Sequence, residues 1–171
     1  GRNAVYEYGH HGNAILSRFP ILLSENLDIS DHRFEQRGLL HAVTDLGFGE
    51  VHLLCAHFGL FARSRQRQAE ALIDRVRAVV PKDAPLVVAG DFNDWNNRLD
   101  RFICQALGTT EVADKAADAR PVRTFPSHMP WLRLDRIYVR GFDIERAHAL
   151  TGREWAQRSD HVPLLAELAR P

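Results

Sequence analysis

Cysteine is scarce: Cys55 and Cys104 are the only two in 171 residues. Both lie in apolar stretches, which suits buried free thiols in a reducing compartment better than a disulfide or a zinc site. Net charge is absent as well, since 22 basic residues balance 22 acidic ones. The charge balance therefore announces neither nucleic acid nor membrane, although a neutral protein can still carry a locally positive site. No apolar run approaches the length of a membrane span, and no charged-then-apolar leader opens the chain. A cytoplasmic location is the expectation. There is no repeat, linker or low-complexity tract, and no G-x-S-x-G nucleophile elbow. One domain over residues 1–171 is expected. The chain also has no initiator Met, and its opening, GRNAVYEYGHHGNAILSR, enters directly into turn-like and strand-like sequence. We expect a piece of a longer protein whose first part is missing.

What is present reads as an ordinary globular composition, 45% hydrophobic and 26% charged. Residues 14–19 (AILSRF) read as a strand stopped by Pro20. Residues 39–46 and 50–58 flank GFGE and predict an antiparallel hairpin. From Ser64 to Val80, Ala69, Leu72, Ile73, Val76 and Val80 recur at helical spacing, predicting an amphipathic helix ended by Pro81. PLVVAGDFN predicts a buried strand, and Leu99–Leu107 a short helix ended by Gly108. Residues 110–132, with Pro121, Pro126 and Pro130, predict a loop. LDRIYV (134–139) and HVPLLAEL (161–168) predict two more strands. Strands joined by hairpins and by one helical crossover argue for a mixed α/β or α+β sandwich over a parallel doubly wound sheet.

The polar residues gather at strand mouths. His57 closes EVHLLCAHF, and Asp91 and Asn93 close LVVAGDFN. Asp135 opens LDRIYV, while Asp160 and His161 precede the last strand. If the strand persists, Asp91 and Asn93 point to one side. Singly, each has a plain structural explanation: a packing histidine, a turn, or an ion pair of Asp135 with Arg133 or Arg136. Together they offer carboxylates, two imidazoles and a carboxamide with no thiol nucleophile beside them. Carboxylate and amide oxygens with water suit a hard cation such as Mg²⁺, and a His paired to a buried Asp is held in one tautomer. Metal-assisted attack of water on a phosphate ester fits this set.

The segments GNAILSRFPI, HFGL, GDFND, RTFP, LDRIYV and SDH, in this order, resemble the endonuclease/exonuclease/phosphatase superfamily of metal-dependent phosphoesterases, from about Gly12 to Leu168. Small bacterial members carrying HHGNAILSR and LRLDRIYV are similar. The resemblance implies a DNase I-like four-layer sandwich of two mixed β-sheets flanked by helices, with Mg²⁺ (or Mn²⁺) at one sheet edge. It implies that Asp91 orients or deprotonates the attacking water and shares in metal binding, and that Asn93 donates to a phosphate oxygen. Asp160 would belong to the metal or its water. His161 would contact the scissile phosphate or act as base, Asp135 would orient His161, and His57 would bind phosphate from the opposite side. Family members also place a strand ending in Asn and a strand ending in Glu, the principal metal ligand, before the GNAILSR-type segment. Glu7 sits too close to that segment to serve. The chain is therefore expected to hold the C-terminal two-thirds or more of the domain, to bind metal weakly and to be nearly inactive alone. The implied substrate is a phosphodiester of nucleic-acid type, with a phospholipid headgroup or small phosphoester as the alternative, or a silent binding protein of the same fold.

Several residues are secondary candidates. Arg37 could hold phosphate with its planar fork or pair with Glu35 or Asp45. Arg63, Arg65 and Arg67 read as a solvated helix face in preference to a contact for nucleic-acid backbone. Asn13 reads as a turn residue at the rim, and His10 and His11 as a polar, flexible hairpin, with a transition-metal site as the alternative. Phe125, Met129 and Trp131 could stack a base, receive a lipid or pack their loop, and Trp95 raises the same choice.

Overall fold

The computed structural model describes residues 1–115 and 122–171. An N-terminal hairpin, β1 (Arg2–Tyr6) and β2 (Gly9–Gly12), precedes the main sheet. That sheet contains β3 (Ile21–Asp28), β4 (Gly38–Asp45), β5 (Glu50–His57), β6 (Leu86–Asp91), β7 (Thr110–Glu111) and β8 (Asp135–Arg140), in the order β3-β4-β5-β6-β8-β7. All its neighbours are antiparallel except β5 and β6. A parallel pair needs a long crossover, here the helix α1 (Ala62–Val79). The second helix, α2 (Asp100–Leu107), ends at Gly108 in the left-handed conformation, φ 64°. Then follow β9 (Asp143–Ala149), the short α3 (Arg153–Ala156) and β10 (Leu164–Ala169), with β9 and β10 paired antiparallel.

The helical period of α1 buries Ala69, Leu72, Ile73 and Val76 against Leu39, Leu54, Ala56, Leu86 and Val88, while Ile103 and Leu107 of α2 join the same core. The opposite face of β6 and β8 packs Val87, Ile137 and Val139 against Ile144, Ala147, Ala166 and Leu168 of the β9–β10 pair. β6 is thus covered on both faces, which is why its apolar residues run without alternation. The architecture is the mixed α/β, DNase I-like sandwich expected. Among the described residues, the second layer is the β9–β10 pair. No helix described here is long and apolar enough to cross a membrane.

Several boundaries depart from expectation. Residues 14–19 form no strand, and the strand begins after Pro20, at Ile21. The amide of Asn13 donates to the carbonyls of Gly38 (2.7 Å) and Cys55 (2.9 Å), and Thr44 Oγ1 donates to the Pro20 carbonyl (2.8 Å). Side-chain bonds hold that segment across the strand ends, and Leu16 faces solvent, 98% exposed. The last strand starts at Leu164, not His161, because Pro163 cannot donate to a ladder. Among the described residues, the stretch from Thr110 holds β7, a 3-10 turn (Val112–Asp114) and a bridge from Phe125 to Leu132. Pro121 lies outside the described residues.

At Gly90 (φ 148°) the sheet leaves no room for a side chain: a Cβ there would lie 1.9 Å from the Ala56 carbonyl oxygen on β5. Gly90→Ala is expected to cost about 3 kcal/mol or more, combining overpacking with a backbone conformation poorly suited to L side chains. Urea unfolding measures this, and a loss under about 1 kcal/mol would show that the neighbouring strand yields easily.

Under α1, His41 of β4 and His52 of β5 share a 3.0 Å hydrogen bond, and Arg75 caps His41 while pairing with Glu25. Burial, then His52 and Arg75, push the His41 pKa down to about 4. The unfolded imidazole, near 6.5, therefore binds more protons than the folded one as pH falls through this window. Relative to His41→Gln, the wild type is expected to lose stability progressively from about pH 6.5 to about pH 4. Urea midpoints across that range would show it, and a constant difference between the two proteins would contradict it.

Candidate active site

The register of three strands builds the site. His57 lies opposite Asp91 in the β5–β6 pair, and Asp91 opposite Asp135 in the β6–β8 pair. Directly paired residues share a sheet face, so the three side chains form one row on the face away from α1. The next residues turn the other way. Phe58 and Phe92 are fully buried and pack edge-to-face at 4.8 Å, and Phe92 meets Tyr138 likewise at 5.2 Å. The ends of β5 and β6 thus each carry a polar group into a cavity and an aromatic anchor into the core. Burial of each ring contributes roughly 1.5–3 kcal/mol.

His161 arrives from the loop before β10. Its Nδ1 lies 2.7 Å from Asp135 Oδ2, and since an ionised carboxylate only accepts, Nδ1 carries the hydrogen. Its Nε2 then faces Asp91 Oδ2 at 3.9 Å, while His57 Nε2 faces the same oxygen at 3.5 Å. The RTFP segment places this loop. Thr124 is fully buried, its carbonyl accepts from Val162 N (2.7 Å), and its Oγ1 accepts from Asp135 N (3.2 Å). Ser127 donates through N to the Asp160 carbonyl and through Oγ to the Ser159 carbonyl, both at 2.7 Å. Neither Thr124 nor Ser127 is recognisable from sequence as a positioning residue, because more than thirty residues separate them from the loop they hold.

The electrostatics follow from this packing. The bond to Asp135 raises the His161 pKa above the ordinary imidazole value, with Asp91 and Asp160 adding to it. His57 goes the other way, pushed down to about 4 by desolvation in the cavity and by Arg37 and His161. Desolvation and the Asp135 charge push Asp91 up to about 6. A carboxylate so placed gains from a cation or a proton beside it.

A cavity of about 550 Å³ opens onto this row. Arg37, His57, Asp91, Asn93, Asp135, Asp160 and His161 line it together with the apolar Leu60, Trp95, Phe125, Leu132 and Leu134. All seven residues singled out as catalytic, phosphate-binding or metal-binding thus meet in one place. Arg37 lines the cavity and donates to Glu35 (3.0 Å), the ion pair offered for it, and Glu35 also accepts from Leu60 N (3.1 Å). Asp135 pairs with His161, whereas Arg133 pairs with Glu111 and Asp114.

Other expectations are corrected. Asn93 does not continue the strand, which ends at Asp91: its φ is 48°, its N–H bonds Asp91 Oδ1 (2.8 Å), and its amide donates to the Phe58 carbonyl (2.9 Å). Asn13 is a buried staple between strands and does not line the cavity. Arg65 is no solvated residue: it is 3% exposed, under Trp95, and Arg67 pairs with Asp31. His10 and His11 lie on β2, where His11 stacks on Tyr6 at 5.1 Å, away from the cavity lining. Phe125 packs on His161 at 4.9 Å, while Met129 and Trp131 remain exposed.

The sequence profile of the Endonuclease/Exonuclease/phosphatase family matches residues 2–161. The chain is 44% identical over 170 residues to YbhP of Escherichia coli K12, covering 98% of this chain and 66% of YbhP. It thus spans just under two-thirds of that relative's length. Among solved structures, an endonuclease/exonuclease/phosphatase from Beutenbergia cavernae superposes with a TM-score of 0.75 at 20% identity, covering 90% of this chain and 46% of that one. The mannosyl-6-phosphatase Bt3783 of Bacteroides thetaiotaomicron gives 0.73 at 18% identity, covering 88% and 67%. The structural likenesses show the fold. The profile, spanning nearly the whole chain, establishes that it belongs to the endonuclease/exonuclease/phosphatase family, whose members hydrolyse phosphate esters.

Proposed function

We propose that this site hydrolyses a phosphodiester of nucleic-acid type by attack of water on phosphorus, supported by Mg²⁺, with Mn²⁺ as a substitute ion. One observation carries the reading: the Nε2 atoms of His57 and His161 face the same Asp91 oxygen, at 3.5 and 3.9 Å, in an open cavity. Asp91 Oδ1 is committed to the Asn93 N–H, which leaves Oδ2 to orient the water and take its proton. His161, held by Asp135, donates from Nε2 to a phosphate oxygen, and His57 contacts the phosphate from the opposite side. Arg37, braced by Glu35, offers its planar fork to the same group. Asn93 keeps one amide hydrogen for a phosphate oxygen, the other being bound to Phe58.

The donor set fits a hard cation. Among the described residues no three His, Cys, Asp or Glu side chains are placed to hold a metal ion together. Two carboxylates on an open cavity match Mg²⁺, which takes one or two carboxylates and keeps several waters. Asp160 would hold it, with Asp91 sharing through the water that its Oδ2 orients, and it would supply neutralisation of charge on the phosphate oxygens. Cys55 and Cys104 are both free, in keeping with a cytoplasmic setting. The alternative of a small phosphoester draws support from the cavity, whose volume is that of a small-molecule site.

Hydrolysis of bis-p-nitrophenyl phosphate with Mg²⁺ or Mn²⁺, by the natural polypeptide carrying these residues, tests the assignment. His161→Asn is expected to lower kcat by about 100-fold or more, the usual scale for a positioned proton donor. Asp135→Asn is expected to cost roughly 10-fold or more and to displace the pH profile of kcat/KM, since it removes the partner that holds the imidazole. Wild type and variants alike in rate, or inert with both ions, would overturn the assignment and leave a binding protein of the same fold.

A further inference from the structure

The apolar wall of the cavity contains one element that hydrolysis itself does not use. Trp95 follows the GDFND turn, lines the cavity beside Asn93, and is 40% exposed. Its turn is rigid: Asp94 is buried, accepts from Leu99 N through Oδ2 (2.8 Å), and its carbonyl accepts from Asn97 N (3.1 Å). Behind the indole lies the guanidinium of Arg65, 4.4 Å from the ring centroid. Arg65 is 3% exposed, donates to the Leu60 carbonyl (2.5 Å), and forms no ion pair among the described residues. A buried cation without a carboxylate partner is costly unless its contacts offset the lost hydration. Here it covers one face of Trp95, a cation–π contact, and braces the Leu60 carbonyl, so that both residues are held at the cavity wall. The indole thus has the guanidinium over its ring and stays partly exposed where it lines the cavity.

Resting on the phosphoester reading above, we infer that the group carried by the scissile phosphate is a nucleoside, its base stacked on Trp95, with Arg65 positioning the indole. A flat ring held from behind at an open rim recognises another flat ring, whereas an alkyl chain gains most from an enclosed apolar slot. The polar row holds the phosphate and Trp95 selects what the phosphate carries. Stacking of a base on an aromatic side chain favours binding by roughly 10-fold or more.

Calorimetric titration of the chain with adenosine 5′-monophosphate, ribose 5-phosphate and hexyl phosphate tests this without requiring turnover. The nucleotide is expected to bind roughly 10-fold or more tighter than either comparison ligand. In Trp95→Ala the nucleotide-to-ribose-phosphate ratio is expected to collapse to near one, while Trp95→Phe retains most of it and Arg65→Met loses part. Equal wild-type affinity for nucleotide and ribose phosphate, absence of nucleotide binding at millimolar concentration, or a ratio that survives in Trp95→Ala would overturn the inference. So would hexyl phosphate binding as tightly as the nucleotide, the mark of a general apolar or lipid-binding wall. The two readings fail separately. Metal-dependent hydrolysis without nucleotide preference removes only the nucleobase, and nucleotide preference without hydrolysis removes only the catalytic assignment.

Discussion

The absence of a side chain at Gly90 is the constraint on which the rest depends. It lets the Ala56 carbonyl of β5 close against β6 at a point where any Cβ would collide. That approach keeps the parallel β5–β6 pairing in register to its last residue pair, His57 with Asp91. The antiparallel β6–β8 pairing carries the same row on to Asp135. Because strand side chains alternate with period two, a slip of one residue would turn His57, Asp91 and Asp135 into the core and bring the Phe58 and Phe92 rings into the cavity. The aromatic cluster of Phe58, Phe92 and Tyr138 therefore does more than fill the core, since it penalises the register that would dismantle the site.

Much of this was legible in the sequence, for identifiable reasons. The hairpin of β4 and β5, the helix α1 and the strand β6 carry strong periodic or continuous apolar signals bounded by Gly and Pro, and they lie where expected. The polar residues at the strand mouths likewise read as one set, because antiparallel neighbours return to the same edge. The failures have a common cause. AILSRF alternates like a strand, yet Asn13 and Thr44 hold that stretch through side-chain bonds to distant backbone, which no local pattern reveals. Asn93 was read as extended, but its left-handed conformation follows from the turn that lets its amide reach Phe58. Arg65 looked like one of three solvated arginines, and only packing against Trp95 shows it to be buried.

The support around the site is similarly non-local. Thr124 and Ser127 fix Asp135 and the loop of Asp160 and His161 through bonds that span from 11 to more than 30 residues of chain. These bonds bring a flexible-looking segment, rich in proline, to the stiffness a hydrogen-bonded imidazole requires. Across the sheet, Glu35 does the same for Arg37. The site accordingly combines a row set by strand register with two groups delivered by braced loops, and its charge pattern follows: the imidazole touching Asp135 is made more basic, while the one beside Arg37 is made less so.

Imidazole ¹⁵N spectroscopy across pH 4 to 9, with and without inorganic phosphate, tests the central claim that these groups form one anion-binding unit. Expected is His161 protonated at Nδ1 and titrating above the ordinary value of about 6.5, His57 titrating below it, and both resonances moving when phosphate is added. Two histidines that titrate together near 6.5 and ignore phosphate would contradict it.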